Sequence, residues 1–199
     1  MRIENFVDPY LKKELGALGA KVLSSGSQVM LFLGYPARGL HDSLQSDIQD
    51  FLNASELSLD LRFDSSSLKK SGTLGSVILV ASGKGGVGKS TIAANIALAL
   101  KEEGAVVGLL DADIYGPSQG LLLGKAGSPK PSMGRDKRIE PVLFEGLRVM
   151  SMSYLSSDAT PMVWRGPMAS SAVQHILTQT SWGRLDYLII DMPPGTGDI

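Results

Sequence analysis

Residues 76–91 read SVILVASGKGGVGKST, a short apolar run followed by a loop rich in glycine and lysine. The apolar run predicts a buried strand, and residues 90–103 have the pattern of a helix. A glycine-rich loop between a strand and a helix points several backbone N–H groups, and the positive end of the helix dipole, at one place. The stretch therefore predicts an anion-binding turn in an α/β sheet.

The loop also matches the phosphate-binding pattern G-x-x-x-x-G-K-[ST], with Gly83, Gly88, Lys89 and Ser90 at the fixed positions. Glycine lets the backbone wrap closely around a phosphate, Lys89 brings a positive charge to the β- and γ-phosphates, and the Ser90 hydroxyl is a ligand for Mg²⁺. We therefore predict a nucleotide site with Mg²⁺ as cofactor. Its predicted binding residues in this loop are Gly83, Lys84, Gly85, Gly86, Val87, Gly88, Lys89, Ser90 and Thr91.

Acidic residues follow two further apolar runs. Asp191 comes directly after residues 188–190, and Asp111 and Asp113 follow residues 109–110. Ligands of open α/β sheets bind at the carboxyl ends of the strands, so all three carboxylates are in a position from which they could face the same nucleotide. A phosphate loop needs an acid for its metal, and Asp191 is predicted to hold Mg²⁺.

The sequence divides into three parts. Residues 1–63 predict a small α+β domain with a helical opening, a hairpin around residues 24–27, a second helix, and a strand at residues 56–63 in which apolar and polar residues alternate. Residues 64–75 are polar and without a period, which predicts a flexible linker. From there strands and helices alternate, so residues 76–199 predict the N-terminal part of a P-loop ATPase domain built on a parallel sheet.

The predicted sheet is incomplete. No helix follows Asp191 and its glycine-rich turn, and the strands and helices are too few to bury both faces of a parallel sheet. We therefore expect the 199-residue chain to be a fragment that is poorly soluble or partly folded when it is expressed alone. A sharp cooperative melt of this chain in solution would contradict the expectation.

Composition argues against several kinds of partner. The formal charge of -1 gives no electrostatic reason to expect nucleic acid or an anionic membrane, and every apolar run is far shorter than the roughly 18 residues of a membrane span. The sequence has no cysteine, so these residues form no disulfide and no thiolate metal site. The sequence therefore predicts a cytoplasmic protein that binds neither membrane nor nucleic acid.

Lys84 is an addition that the phosphate-binding pattern does not require. A lysine among anion-binding amides either lies beside the phosphates of its own nucleotide or reaches those of another subunit. Its position suggests that nucleotide binding is coupled to dimerisation. With this lysine, residues 83–91 resemble the deviant Walker A motif of the ATPases that include MinD, ParA and the nitrogenase iron protein.

Three further runs narrow the resemblance. Residues 111–118 read DADIYGPS, residues 164–168 read WRGPM and residues 191–198 read DMPPGTGD. Together they are similar to the Mrp/ApbC family of iron-sulfur cluster carrier ATPases, and the likeness covers most of residues 76–199. Residues 1–63 are similar to the small domain that precedes the ATPase in many bacterial members of that family.

The resemblance implies roles for individual residues. It implies an ATPase with Lys84, Lys89 and Asp113 as catalytic residues. Lys84 would reach across the interface of a homodimer to the nucleotide of the partner, and Asp113 would position the attacking water. Gly195 would sense the γ-phosphate of ATP through its backbone N–H. The choice of ATP over GTP follows from the resemblance alone.

The resemblance further implies a [4Fe-4S] cluster held between two subunits by a Cys-x-x-Cys pair, which lies beyond residue 199 in the family. No cluster ligand is therefore predicted among the residues of this chain. The implied function is an ATP-hydrolysing carrier that transfers iron-sulfur clusters to apoproteins. Two alternatives stay open, namely a MinD- or ParA-like positioning ATPase that binds a membrane or DNA, and a reductase component like the nitrogenase iron protein.

Overall fold

The computed structural model describes residues 2–52, 58–63, 74–113, 116–124, 131–155 and 166–195. The chain forms two compact units, Met1–Ser71 with Glu102–Ala105 and Gly72–Lys101 with Val106–Ile199. Three predicted features lie wholly or mostly outside the described residues. They are the linker at residues 64–75, the Trp164-Arg165 pair and the end of the glycine-rich turn, residues 196–199.

The first unit contains a three-stranded sheet and a helix. Its elements are β1 (Lys21–Ser25), β2 (Gln28–Leu33), α1 (His41–Leu52) and β3 (Ser58–Phe63). β1 and β2 form an antiparallel hairpin whose turn contains Gly26 at a φ of +60°, and β3 pairs with β2 in parallel. On β3 the apolar side chains of Leu59 and Leu61 are buried, and on α1 the buried residues are Leu44 and Ile48.

The predicted helical opening is wrong. Within residues 2–20 the structure has one 3-10 turn, Ile3–Asn5, followed by other turns. Asp8 explains the difference, because its buried carboxylate accepts hydrogen bonds from the backbone N–H groups of Tyr10 (2.8 Å) and Leu11 (2.6 Å). A side chain that bonds the nearby backbone in this way competes with the hydrogen bonds of a helix. Pro9 has no N–H donor and disfavours the helix further.

The second unit is a five-stranded α/β sheet. Its elements are β4 (Ser76–Ser82), α2 (Lys89–Glu102), β5 (Val107–Asp111), α3 (Gln119–Leu122), β6 (Val142–Phe144), β7 (Leu147–Ser151), α4 (Gly166–Gln179) and β8 (Tyr187–Pro194). The strand order is β4-β8-β5-β7-β6, with parallel pairing except between β6 and β7. The predicted α/β class with a parallel sheet is confirmed. The antiparallel strand β6 is an addition that the sequence did not indicate.

The strand order brings the predicted site together. β8 lies between β4 and β5 and is parallel to both, with Asp191 in register with Val80 on one side and with Asp111 on the other. All five residues of β5 are buried, as expected for a central strand. The carboxyl ends of three neighbouring strands therefore carry the phosphate loop and the predicted acids.

β4 departs from the prediction of a buried strand. It is the edge strand of the described sheet, with β8 as its neighbour, and on one face Val77 and Leu79 are 49% and 61% exposed. Ile78 and Val80, which point to the other face, are partly buried. A short apolar run cannot show by itself how much of each face is covered, because that depends on neighbours in space.

Candidate functional site

The phosphate loop connects β4 to α2, which begins at Lys89. Gly86 and Gly88 have φ values of +76° and +90°, in the left-handed region that favours glycine. A Cβ atom built at Gly83, Gly86 or Gly88 would meet no heavy atom within 4 Å. The space in front of these glycines is therefore open, and a ligand can approach the backbone closely.

The loop forms one wall of a cavity of about 370 Å³. This volume lies within the range of about 300–1,000 Å³ that is typical of small-molecule sites. The predicted site residues that line it are Gly85, Gly86, Gly88, Lys89, Ser90, Thr91 and Asp113. Ser118 also lines the cavity, and its hydroxyl oxygen is buried without a hydrogen-bond partner among the described residues. Residues of the phosphate loop therefore make up about half of the lining of the cavity.

Lys89 and Asp191 form a buried ion pair, in which Lys89 lines the cavity and Asp191 does not. The Nζ atom of Lys89 lies 2.5 Å from Oδ1 of Asp191, and the two side chains are 7% and 0% exposed. The same Nζ donates to the Ser90 hydroxyl at 3.4 Å. The predicted phosphate-binding lysine and both predicted Mg²⁺ ligands are thus in one cluster.

Gln119 is a member of this cluster that the sequence did not reveal. It is the first residue of α3 and is fully buried. Its Nε2 atom donates to the backbone carbonyl of Ser90 and to Oδ2 of Asp191, both at 2.9 Å. No motif marks a buried amide of this kind, because its contacts are with residues 29 and 72 positions away in the chain.

Asp111 and Asp113 have different surroundings. Asp113 lines the cavity, and its Oδ1 accepts the N–H of Gly116 at 3.0 Å. Asp111 does not line the cavity. Its two carboxylate oxygens accept the N–H groups of Asp113 (3.2 Å), Ser118 (3.0 Å) and Gln119 (3.0 Å). Asp111 therefore binds the backbone on both sides of the loop that follows β5. Of these two acids, Asp113 lines the cavity and Asp111 does not.

Burial raises the pKa of Asp111 from its ordinary value of 3.8 to about 6. The hydrogen bond from the backbone N–H of Gln119 lowers this pKa, and the negative charge of Asp191 raises it further. The folded protein therefore binds more protons than the unfolded protein between those two pH values. Through this group alone, the free energy of unfolding falls as pH rises through that window, by up to about 3 kcal/mol.

This pH dependence can be measured with the variant Asp111→Asn, which has no carboxyl group to titrate. We expect the unfolding free energy of the wild type, minus that of the variant, to fall as pH rises from about 4 to about 7. Urea unfolding at several pH values measures this difference, in which the titration of carboxylates remote from Asp111 cancels. A difference that is independent of pH would contradict the prediction.

Gly195 and Lys84 lie at the rim of the loop. Both are exposed. The N–H of Gly195, which the resemblance assigns to γ-phosphate sensing, donates to the carbonyl of Ser82 at 2.9 Å. The Ser82 hydroxyl donates to the carbonyl of Lys84 at 3.0 Å. Ser82 thus connects the end of β8 to the phosphate loop, and contact between Gly195 and a phosphate requires exchange of its bond with Ser82.

The described side chains alone offer few ligands for a metal ion. In the part of the chain that the structure describes, no group of three or more His, Cys, Asp or Glu side chains is placed to hold a metal ion. The predicted Mg²⁺ ligands Ser90 and Asp191 would supply two oxygen atoms, and Mg²⁺ is commonly bound by one or two carboxylates together with substrate phosphates and water. None of the described helices is both long and apolar enough to span a membrane.

Comparison with known proteins gives consistent matches. The family model described as "ParA: NUBPL iron-transfer P-loop NTPase" matches residues 73–199. The iron-sulfur cluster carrier protein of Pseudomonas fragi is 62% identical over 123 residues, which cover 62% of this chain and 43% of that protein. The protein of the same name from Deinococcus radiodurans is 40% identical over 202 residues, covering 96% of this chain and 57% of that protein.

Two further matches extend the comparison. The iron-sulfur cluster transfer protein NUBPL of Mus musculus is 50% identical over 125 residues, which cover 62% of this chain and 39% of that protein. A solved structure, a nucleotide-binding protein from Archaeoglobus fulgidus in complex with ADP, matches with a TM-score of 0.54 and 41% identity. That match covers 63% of this chain and 47% of the other.

The chain thus spans about half the length of the curated relatives that it matches. The matched region includes the phosphate loop with Lys89, the strand β5 that ends at Asp111 and the strand β8 that contains Asp191. Since the family model covers well over half of the residues, the chain belongs to the NUBPL-type family of iron-transfer P-loop NTPases.

Proposed function

We propose that the protein is an ATP-hydrolysing carrier that binds iron-sulfur clusters and transfers them to apoproteins, acting as a homodimer in the cytoplasm. The observation that carries the proposal is that the phosphate loop and Lys89 line one cavity, where Lys89 is paired with the buried carboxylate of Asp191. The names of the relatives support the iron-sulfur part, because proteins 40% to 62% identical to this chain are called iron-sulfur cluster carriers.

Nucleotide binding would use the open glycines and the lysine of the loop. The backbone N–H groups of residues 83–90 and the positive end of α2 stabilise the phosphate charge. Lys89 is paired with Asp191 in the structure. When a nucleotide binds, the ammonium group of the lysine would turn from that carboxylate to the β- and γ-phosphates. One anionic partner of the lysine is thereby exchanged for another.

The residues for Mg²⁺ would be Ser90 and Asp191. A bound Mg²⁺ supplies charge neutralisation for the β- and γ-phosphates. Ser90 would contribute its hydroxyl oxygen, and Asp191 would contribute the carboxylate that Lys89 releases. Asp191 would thus pair with Lys89 before a nucleotide binds and serve Mg²⁺ in the nucleotide-bound site.

Hydrolysis would need three further residues. Asp113 lines the cavity and would orient the attacking water. Lys84, exposed at the rim, would reach the nucleotide of the partner subunit and stabilise the charge of the transition state. Gly195 would exchange its bond with Ser82 for one with the γ-phosphate, which would signal the nucleotide state to β8.

The cluster is the cargo of this protein, and its ligands lie outside these residues. The chain contains no cysteine, and thiolate sulfur is the usual ligand of iron in such clusters. A [4Fe-4S] cluster would therefore be bound elsewhere in the homodimer. The part of the protein described above would change the affinity for the cluster through the nucleotide state.

The variant Gly88→Ala tests whether a bound phosphate must approach the backbone of the loop closely at residue 88. Alanine at this φ costs about 1–2 kcal/mol of stability, and its Cβ enters the open space in front of the loop. We expect nucleotide affinity to fall about tenfold or more, because loop N–H groups lose charge-assisted bonds. Gly124→Ala is the matched control: Gly124 has a φ of +72° and open space, and it does not line the cavity. Equal losses of affinity in both variants would refute the prediction.

Reconstitution of the full-length protein tests the proposed function. After anaerobic incubation with iron and sulfide, we expect bound iron and sulfide in equal amounts and transfer of the cluster to an apo-ferredoxin. ATP should change the rate of transfer, and a non-hydrolysable analogue should not support repeated transfer. A protein that hydrolyses ATP but retains no iron or sulfide would overturn the carrier proposal.

The same preparation separates the carrier from the alternatives. A positioning ATPase would sediment with anionic vesicles or with DNA when ATP is added and would hold no cluster. A reductase component would hold a cluster but keep it in the presence of the apo-ferredoxin. Transfer of iron and sulfide to the acceptor distinguishes the carrier from both.

A further inference from the structure

We propose that Gln119 is a positioning residue that fixes the carboxylate of Asp191 while Lys89 moves from that carboxylate to the phosphates. The inference deepens the proposed function and rests on it, because it takes Asp191 as the acid that serves Mg²⁺. It assigns a task to a residue outside the phosphate loop and outside the predicted acids.

The two oxygens of Asp191 are held from different elements. Oδ1 accepts the hydrogen bond of Lys89 at the start of α2, whereas Oδ2 accepts the hydrogen bond of Gln119 at the start of α3. When Lys89 turns to the phosphates, Gln119 keeps its hold on Oδ2. Oδ1 is then the oxygen that is available to Mg²⁺ or to a water bound to it.

The second N–H group of the Gln119 side-chain amide fixes the position of the amide itself. Nε2 donates to the carbonyl of Ser90 as well as to Asp191, so both of its N–H groups are used. The bond to the Ser90 carbonyl fixes the amide against the start of α2, and the amide in turn holds the carboxylate of Asp191 on β8. Residues that do not contact a metal but orient its ligands commonly change the affinity for the metal by about 10- to 100-fold.

The orientation of the amide follows from its neighbours. A flipped amide would place Oε1 against the carboxylate of Asp191 and the carbonyl of Ser90, where three acceptors would repel one another. In the observed orientation Oε1 is buried without a partner among the described residues. The amide thus keeps its two donor bonds although its oxygen is unsatisfied, which favours a specific role over simple packing.

The backbone of Gln119 connects this support to the neighbouring acids. Its N–H donates to Oδ2 of Asp111, which also accepts the N–H of Ser118. The carboxylate of Asp111 thus anchors the residue that orients Asp191. Asp111, Gln119 and Asp191 form a continuous hydrogen-bonded series from β5 to β8.

Gln119→Met is the main test, since methionine has a similar length and no donor. Titration of a fluorescent ATP analogue into the full-length protein, with and without Mg²⁺, measures how much the ion strengthens nucleotide binding. We expect the strengthening by Mg²⁺ to be about tenfold smaller in the variant. Affinity without Mg²⁺ should stay within about twofold of the wild type, because the phosphate loop and Lys89 are unchanged.

Three further variants keep the test decisive. In an Asp191→Asn background, Gln119→Met should cause no further loss, because the amide acts through that carboxylate. Thr180→Val removes another buried hydrogen bond, from the Thr180 hydroxyl to the carbonyl of Ile176, and should leave the Mg²⁺ effect unchanged. Gln119→Asn keeps the amide on a shorter side chain, and it should show the same loss if the methionine variant does not fold.

The outcomes separate the inference from the function on which it rests. If Mg²⁺ strengthens nucleotide binding equally in the wild type and in both Gln119 variants, or if Thr180→Val gives the same loss, the inference is overturned. If the wild type binds no adenine nucleotide, the proposed function fails first.

Discussion

Replacing Lys89 with methionine is expected to weaken nucleotide binding by about 100-fold and to slow ATP hydrolysis by about 1,000-fold. Lys89 is the cation that the structure places at the first turn of α2, on the cavity and next to Ser90. Its loss removes charge-assisted bonds to the β- and γ-phosphates, which matter more in the transition state than in the ground state. Nucleotide titration and steady-state hydrolysis measure the two effects.

The same replacement has a second effect, on stability. Asp191 is fully buried and would keep a negative charge with one of its two side-chain donors removed. Breaking a buried ion pair from one side costs about 3–5 kcal/mol. We therefore expect Lys89→Met to unfold at lower urea concentration, and the double variant Lys89→Met with Asp191→Asn to recover most of that loss.

The double variant separates the role of Lys89 in binding from its role in folding. It should be stable and still bind nucleotide weakly, because the cation for the phosphates is absent in both variants. If the stabilised double variant bound and hydrolysed ATP like the wild type, the assignment of Lys89 to the phosphates would be wrong.

Lys84→Ala is expected to leave nucleotide binding nearly unchanged and to reduce hydrolysis by about 10³-fold or more. Lys84 is exposed at the rim of the loop, where a side chain can reach a second subunit. A cation that is delivered to phosphoryl transfer from another subunit acts mainly on the transition state. The expected signature is a large fall in kcat with a small change in nucleotide affinity.

Mixing two inactive variants tests whether Lys84 acts on the partner. Lys84→Ala and Asp113→Asn should each be inactive alone. In a mixed dimer, one site would combine the intact Asp113 of one subunit with the intact Lys84 of the other. Random pairing makes about half of the dimers mixed, so we expect recovery of about a quarter of the wild-type activity. No recovery on mixing, in protein shown to exchange subunits, would place Lys84 in its own site.

The local parts of the site could be predicted from the sequence. The loop from β4 to α2 follows from one pattern of glycine, lysine and serine, and its positive φ values at Gly86 and Gly88 are those that only glycine adopts easily. Asp191 and Asp113 could be placed because the ends of parallel strands meet at one edge of a sheet. These inferences need only short stretches of chain and a general rule of topology.

The rest of the site depends on neighbours in space. Gln119 looks like an ordinary polar residue after a serine, and its hydrogen bond to Asp191 is visible only in the structure, because the two residues are far apart in the chain. Asp111 and Asp113 look alike in the sequence, yet one is bound by three backbone N–H groups and the other lines the cavity. The exposure of Val77 and Leu79 likewise depends on what lies beside β4.

The pairing of Lys89 with Asp191 also bears on how quickly a nucleotide arrives. Two opposite charges 2.5 Å apart form a dipole whose field falls off steeply, so a distant polyphosphate experiences little attraction from this lysine. Long-range steering would come from exposed charges such as Lys84, and these are screened within about 10 Å at ordinary ionic strength. Salt would therefore act mainly on the association rate of the nucleotide. The dissociation rate of the bound nucleotide would depend little on ionic strength.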